Sequence, residues 1–148
     1  MDTGSQAAAL WDWITARVNA GAPPPMTQGG TSLFKKPKRI YRGEVTDTAG
    51  TPGHFIIGIF PEIPGGFLDS RAGLAGRAWV TGWSDTLDNA ERLYAWLKFV
   101  LTDPEPTMLG DRTVHEFAIS KGSQVHDVAN KAWGVPMMID VETLAAVA

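Results

Sequence analysis

Between Ser5 and Gly21 the apolar residues Leu10, Trp11, Ile14 and Val18 recur at helical spacing. This predicts an amphipathic helix of about four turns, with Ser5 placed to cap its start and Gly21 to end it. Pro23, Pro24 and Pro25 cannot continue a helix, because proline lacks the amide proton and its ring clashes with the preceding turn. The following "MTQGGTSLFKKPK" is rich in turn formers and poor in apolar side chains, so a flexible loop or arm is expected at about residues 22–37.

Strand patterns come next. "RIYRGEVTD" sets Ile40, Arg42 and Glu44 against Tyr41 and Val45, an imperfect alternation rich in strand formers. "AGTPG" supplies a turn. "HFIIGIF" is a nearly unbroken apolar run stopped by Pro61, as expected of a strand in the middle of a sheet and buried on both faces. From Pro61 to Gly76 the sequence "PEIPGGFLDSRAGLAG" is too long for a tight hairpin loop and is expected to be a long connection. "RAWVTGW" then alternates Ala78, Val80 and Gly82 with Trp79, Thr81 and Trp83, giving one small face and one bulky face.

A second helix is marked more sharply. Ser84, Asp85 and Thr86 are three N-cap candidates, and Asp88 and Glu91 put negative charge where the helix dipole favours it. Ala90, Leu93, Tyr94, Leu97, Val100 and Leu101 share one stripe, and Pro104 and Pro106 stop the run. "RTVHEFAIS" and "VPMMIDV" read as two further strands, with the polar "KGSQVHDVANKA" between them, and "ETLAAVA" is either a helical turn or a frayed end. The sum is an α+β fold: a mostly antiparallel sheet of about five strands with two helices packed on one face.

The chain has 148 residues, within the size of one domain, and enough apolar residues (44%) to build a core without cross-links. The absence of cysteine excludes disulfides, thiolate metal sites and a cysteine nucleophile. Asp2 precedes the first apolar run, which lacks a basic leader, and no apolar stretch approaches the ~18 residues of a membrane span, so cytosolic synthesis without a membrane partner is expected. A net charge of −3 argues against gripping nucleic acid, which needs a surplus of Lys and Arg on one face.

Candidate chemistry is sparse. His54, His115 and His126 are scattered, with no His-Glu-x-x-His pair and no acidic calcium loop, so no metal is expected. "GTPGHFIIG" leads into a strand, whereas a phosphate cradle leads out of a strand into a helix, so no nucleotide cofactor is expected. "KKPKR", Lys35 to Arg39, is a basic cluster that either meets an acidic or phosphate surface or is simply solvated. Five of the six tryptophans lie on predicted regular elements, where core packing is the first explanation. "IYRG", Ile40 to Gly43, resembles the aromatic-Arg start of ADP-ribosyltransferase-like toxins, in which the arginine contacts NAD and a later glutamate does the chemistry. That resemblance would make Arg42 the NAD ligand and Glu142 the late glutamate, with only "ISKGSQ" available for the middle serine motif.

The order of parts resembles something else over about Ser5 to Val141. A helix, a loop to the "RIY" strand, a "GTP" turn into an apolar strand, a long connection, then "VTGWSDTLDNAERLYAWLKFVL" and a closing pair of strands is similar to the small tail-terminator and tail-completion proteins of long-tailed bacteriophages. Of that family's Gly-Asp-Arg-Ile-Tyr-like start, only "RIY" stands here. The resemblance implies a non-enzymatic structural protein of the virion, assembled in the host cytoplasm. It would form a homo-oligomeric, hexameric ring at the head-proximal end of the tail. The ring would stop tube polymerisation, contact the tube protein and the head-tail connector or stopper, and let DNA pass through its lumen without specific binding. Such a subunit needs two different edges meeting head to tail. On that reading Ile63, Phe67 and Leu68 are the apolar contacts, Asp69 and Arg71 fix register, and the arm with Lys35 and Lys36 is a second contact.

Overall fold

The structure is a computed structural model and describes residues 5–21, 27–28, 31–32, 39–43, 54–60, 62–68 and 70–146. Its elements in chain order are α1 (Ser5–Ala20), β1 (Thr27–Gln28), β2 (Thr31–Ser32), β3 (Arg39–Arg42), β4 (His54–Ile59), β5 (Ile63–Leu68) and β6 (Arg71–Ser84). They continue with α2 (Leu87–Thr102), β7 (Met108–Leu109), β8 (Arg112–Lys121), β9 (Val125–Asp127) and β10 (Ala132–Leu144). β1 and β2 pair with each other, and all other strands join one sheet with the path β3-β4-β6-β10-β8-β7, to which β5 adds on β6 and β9 on β10. Every pairing is antiparallel except β3 with β4. The α+β architecture with two helices on one face of a mostly antiparallel sheet is therefore present.

β6 and β10 are the spine, paired from Trp133 opposite Ser84 to Leu144 opposite Gly73. The pleat sends Ala78, Val80 and Gly82 of β6 and Val135, Met137, Ile139 and Val141 of β10 toward the helices, where all are buried. The small face of β6 is thus the one that α2 covers. An added Cβ at Gly82 would stand 3.1 Å from Phe55 and 3.2 Å from Leu93, so the missing side chain sets how closely helix and sheet approach. α2 starts where its caps lie: the Thr86 side chain accepts from the Asn89 amide at 3.1 Å, and buried Asn89 donates to Ser84 Oγ at 2.7 Å. α1 packs Leu10, Ile14 and Val18 into the same core.

The bulky face of β6 has no helix over it. Trp79 lies directly on Gly58 of β4: a Cβ there would come within 2.2 Å of the indole. Trp83 and Thr81 cover Gly134 of β10 in the same way. β4 is interior in the sheet, and Phe55 and Ile57 are fully buried, but Ile56 on the uncovered face is only half-buried. The expectation of burial on both faces therefore holds for one face, the one that meets the helices. Gly58→Ala is expected to lift the indole off the strand at a cost of about 1–3 kcal/mol. Denaturant unfolding checks this, and an unchanged midpoint would show that Trp79 can move freely.

Two other expectations are corrected. Residues 61–76 are not an irregular connection, since 63–68 and 71–76 form two paired strands. The C-terminal segment is strand through Leu144, carried past a bulge at Glu142 and Thr143 by pairing with both β6 and β8. The polar stretch before β10 also contains the short strand β9. The expected flexible arm lies mostly outside the described residues, which include only the β1–β2 pair from it.

Candidate assembly surface

β5 is exposed at all six of its positions and carries no charged residue. Ile63 is 62%, Phe67 80% and Leu68 46% exposed, which puts three large apolar side chains in water on one short strand. Its ladder with β6 shifts between Pro64 and Phe67, where Gly66 takes a positive φ of 84° that a side chain would strain. Pro64, lacking an amide proton, also suits an edge strand.

The corner of the sheet that carries this strand is braced. Arg71 donates from Nε to the Ala145 carbonyl at 2.6 Å and from Nη2 to Thr113 Oγ1 at 2.8 Å. Arg112, buried, donates from Nε to Thr143 Oγ1 and from Nη2 to the Ala72 carbonyl, both at 2.8 Å. Thr143 in turn donates to Gln6 Oε1 at the start of α1. The Ala145 amide closes on the Ala72 carbonyl at 2.8 Å. Three strands and a helix thus converge beside the turn end of the hairpin, where one charge-assisted bond reaches the β6 backbone at Ala72 and another ties Arg71 to the Ala145 carbonyl.

Beside β5 lies a groove of about 410 Å³ on the uncovered sheet face, lined by Phe60, Ile63, Ala75, Gly76, Arg77, Met138 and Asp140. Its two charged residues satisfy each other, Arg77 Nε to Asp140 Oδ1 at 2.7 Å, so the groove offers apolar walls with an internally paired rim. A smaller groove of about 160 Å³ nearer the hairpin turn includes Phe67, Leu68, His115 and Glu142, with His115 Nε2 3.4 Å from Glu142 Oε2.

Of the residues singled out in the sequence, Ile63, Phe67, Leu68 and Arg71 are therefore brought together on one hairpin, the first three exposed and Arg71 partly buried in its own subunit. Asp69, Lys35 and Lys36 lie outside the described residues. Sequence reasoning did not find the groove or the Arg112–Thr143–Gln6 network. Both depend on strand register, and no local motif signals them.

Among the described residues, ionisable groups do not converge on one site. Among the described residues no three of His, Asp and Glu are grouped to hold a metal. His126 stacks on Trp133 with ring centres 3.9 Å apart. Arg42 is exposed, with its guanidinium over the Trp11 ring at 5.3 Å. From Arg42 the pairing runs through Ile57 and Val80 to Met137. Three strand spacings and a further five residues along β10 put Glu142 roughly 20 Å from Arg42. The two residues of the ADP-ribosyltransferase resemblance are not brought together. Among the described residues, Glu91 is held below the usual carboxylate range mainly by its hydrogen bond from Lys121, Asp127 is lowered by side-chain and backbone hydrogen bonds from Asn130, and burial raises the Tyr94 phenol above its ordinary value. None of the three lies in either groove.

No family model matches the chain, and no curated protein does. Among solved structures, a chain of the "Virion of native gene transfer agent (GTA) particle" is similar in fold, with a TM-score of 0.58 over 95% of this chain and 98% of that one, at 12% sequence identity.

Proposed function

We propose that this chain is a structural component of a bacteriophage-type virion, a non-enzymatic subunit that caps the tail tube as a homo-oligomeric ring, a hexamer. The ring ends tube polymerisation at the head-proximal end of the tail and joins the tail to the connector or stopper, and DNA passes through its lumen without specific binding. The observation that carries this reading is β5: a six-residue strand, exposed throughout and uncharged, paired along β6, whose Arg71 and Ala72 are tied into one corner of the sheet. A monomer gains nothing by presenting three large apolar side chains on a braced strand, whereas a subunit that must be buried against neighbours needs such a surface. The likeness of nearly the whole chain to one from a gene transfer agent virion supports the same reading, although folds of this kind are reused and the surface must carry the function. The single sheet core positions that surface, and Ile63, Phe67 and Leu68 are its contacts, with Arg71 bracing the strand behind them.

The test is the assembly state of the purified chain, alone and with tail tubes, by light scattering and negative-stain imaging. Closed rings, free or seated on tube ends, are the expected result. A protein that stays monomeric at high concentration and ignores tube ends would end this reading.

A further inference from the structure

We infer that the groove beside the hairpin, with Met138 and Ala75 in its wall, is the receptor for Phe67 of a second copy of this chain. The inference rests on the assembly reading above and names the partner surface that reading lacks. Phe67 is the most exposed large apolar side chain described, at 80%. A phenylalanine exposed to that extent offers on the order of 150 Å² for burial, enough for the centre of a patch whose full extent is about 800 Å² per partner. Its own subunit cannot take it in. Phe67 pairs with Ala72, while the groove begins at Ala75, three residues further along β6 or about 10 Å away, and the ladder fixes both ends of that interval.

Charge selects the same occupant. The strand that bears Phe67 has no charge from Ile63 to Leu68, and the groove's Arg77 and Asp140 neutralise each other at 2.7 Å. A neutral apolar knob and an internally neutral apolar groove suit each other, and neither suits a polyanion or a strongly charged peptide. Because knob and groove are separate places on one chain, a copy can give Phe67 to one neighbour and receive it from another, the head-to-tail arrangement of a closed ring, whereas reciprocal exchange between two copies would close a dimer.

The absence of cysteine makes the test direct. Phe67→Cys chains are mixed with Met138→Cys chains and oxidised with diamide, with Ala75→Cys as a second acceptor and Val128→Cys, 73% exposed, as the control. Circular dichroism confirms each variant is folded. The expected result is a covalent dimer with either acceptor, in at least about tenfold greater yield than with Val128→Cys. A chain carrying both Phe67→Cys and Met138→Cys should give a ladder beyond the dimer. A ladder that stops at the dimer keeps the contact but ends the ring reading. Associated chains that form no cross-link with either acceptor overturn the contact and leave the ring reading standing. Monomers without cross-links, with the unsubstituted chain monomeric as well, overturn both.

Discussion

Trp96→Ala is expected to lower the stability of the subunit by about 3–5 kcal/mol, a fall in melting temperature of roughly 6 to 20 °C for a chain of this size. Trp96 is 1% exposed and lies at the meeting point of three elements. Its ring stacks on Phe55 of β4 with centres 6.1 Å apart and planes at 27°. An added Cβ on Gly21 would come within 2.9 Å of the same ring, so the end of α1 also closes on it. Truncation leaves a cavity that the sheet and both helices would all have to shift to fill. Phe99→Ala, three residues along α2 but 58% exposed, is the matched control and should stay within about 0.5 kcal/mol of the parent. Thermal and denaturant unfolding of the pair measure the difference, and equal stabilities would mean that α1 and α2 do not share one core with β4.

The largest functional effect is expected from Ile63→Glu combined with Phe67→Glu. Both positions are exposed, so folding should be nearly unaffected, with a shift of about 0.5 kcal/mol or less. Association should weaken by roughly 1000-fold or more, since apolar residues at the centre of an interface contribute about 2 kcal/mol or more each and a buried carboxylate adds a desolvation penalty. Val128→Glu, at the opposite end of β10, should leave association unchanged. Sedimentation or light scattering across a concentration series reads this directly. Loss of association in Val128→Glu alone would move the interface to the other end of the sheet.

The helices were legible because their signals are local. The Thr86 cap, the stripe from Ala90 to Leu101 and the Leu10, Ile14, Val18 repeat each depend on residues within a few positions of one another. The two faces of β6 were legible for the same reason, and the small side chains could be expected to meet something close. The hairpin was not. Alternation identifies a strand only when one face is buried, and β5 buries neither, so "IPGGFL" shows no period and its proline and glycines read as a loop. It is a strand because β6 extends far enough to pair with it and because Arg71 and Arg112 pin the far end of that extension.

Proline argues against a central strand, yet Pro136 stands in "VPMMIDV", which reads as a strand from its apolar run and is part of β10. The Pro136 carbonyl accepts from the Gly122 amide at 2.8 Å, one residue beyond the last β8 pair at Lys121, so the missing amide proton falls where the β8 ladder ends. The reach of β10 through Leu144 also has no local signal, because it depends on simultaneous pairing with β6 and β8 across a bulge. The candidate surface shares this character. Its residues could be suspected from their apolar types, but their joint exposure on a braced edge appears only with the register in place.

What most directly decides whether this chain acts by assembly is where it sits in a finished particle. Particles purified from cells producing the chain with a small epitope at Val128, labelled by antibody and imaged, should carry label at the head-proximal end of the tail, with averaged views showing a closed ring there. Tails of normal length with no label and no ring at that end would contradict the account.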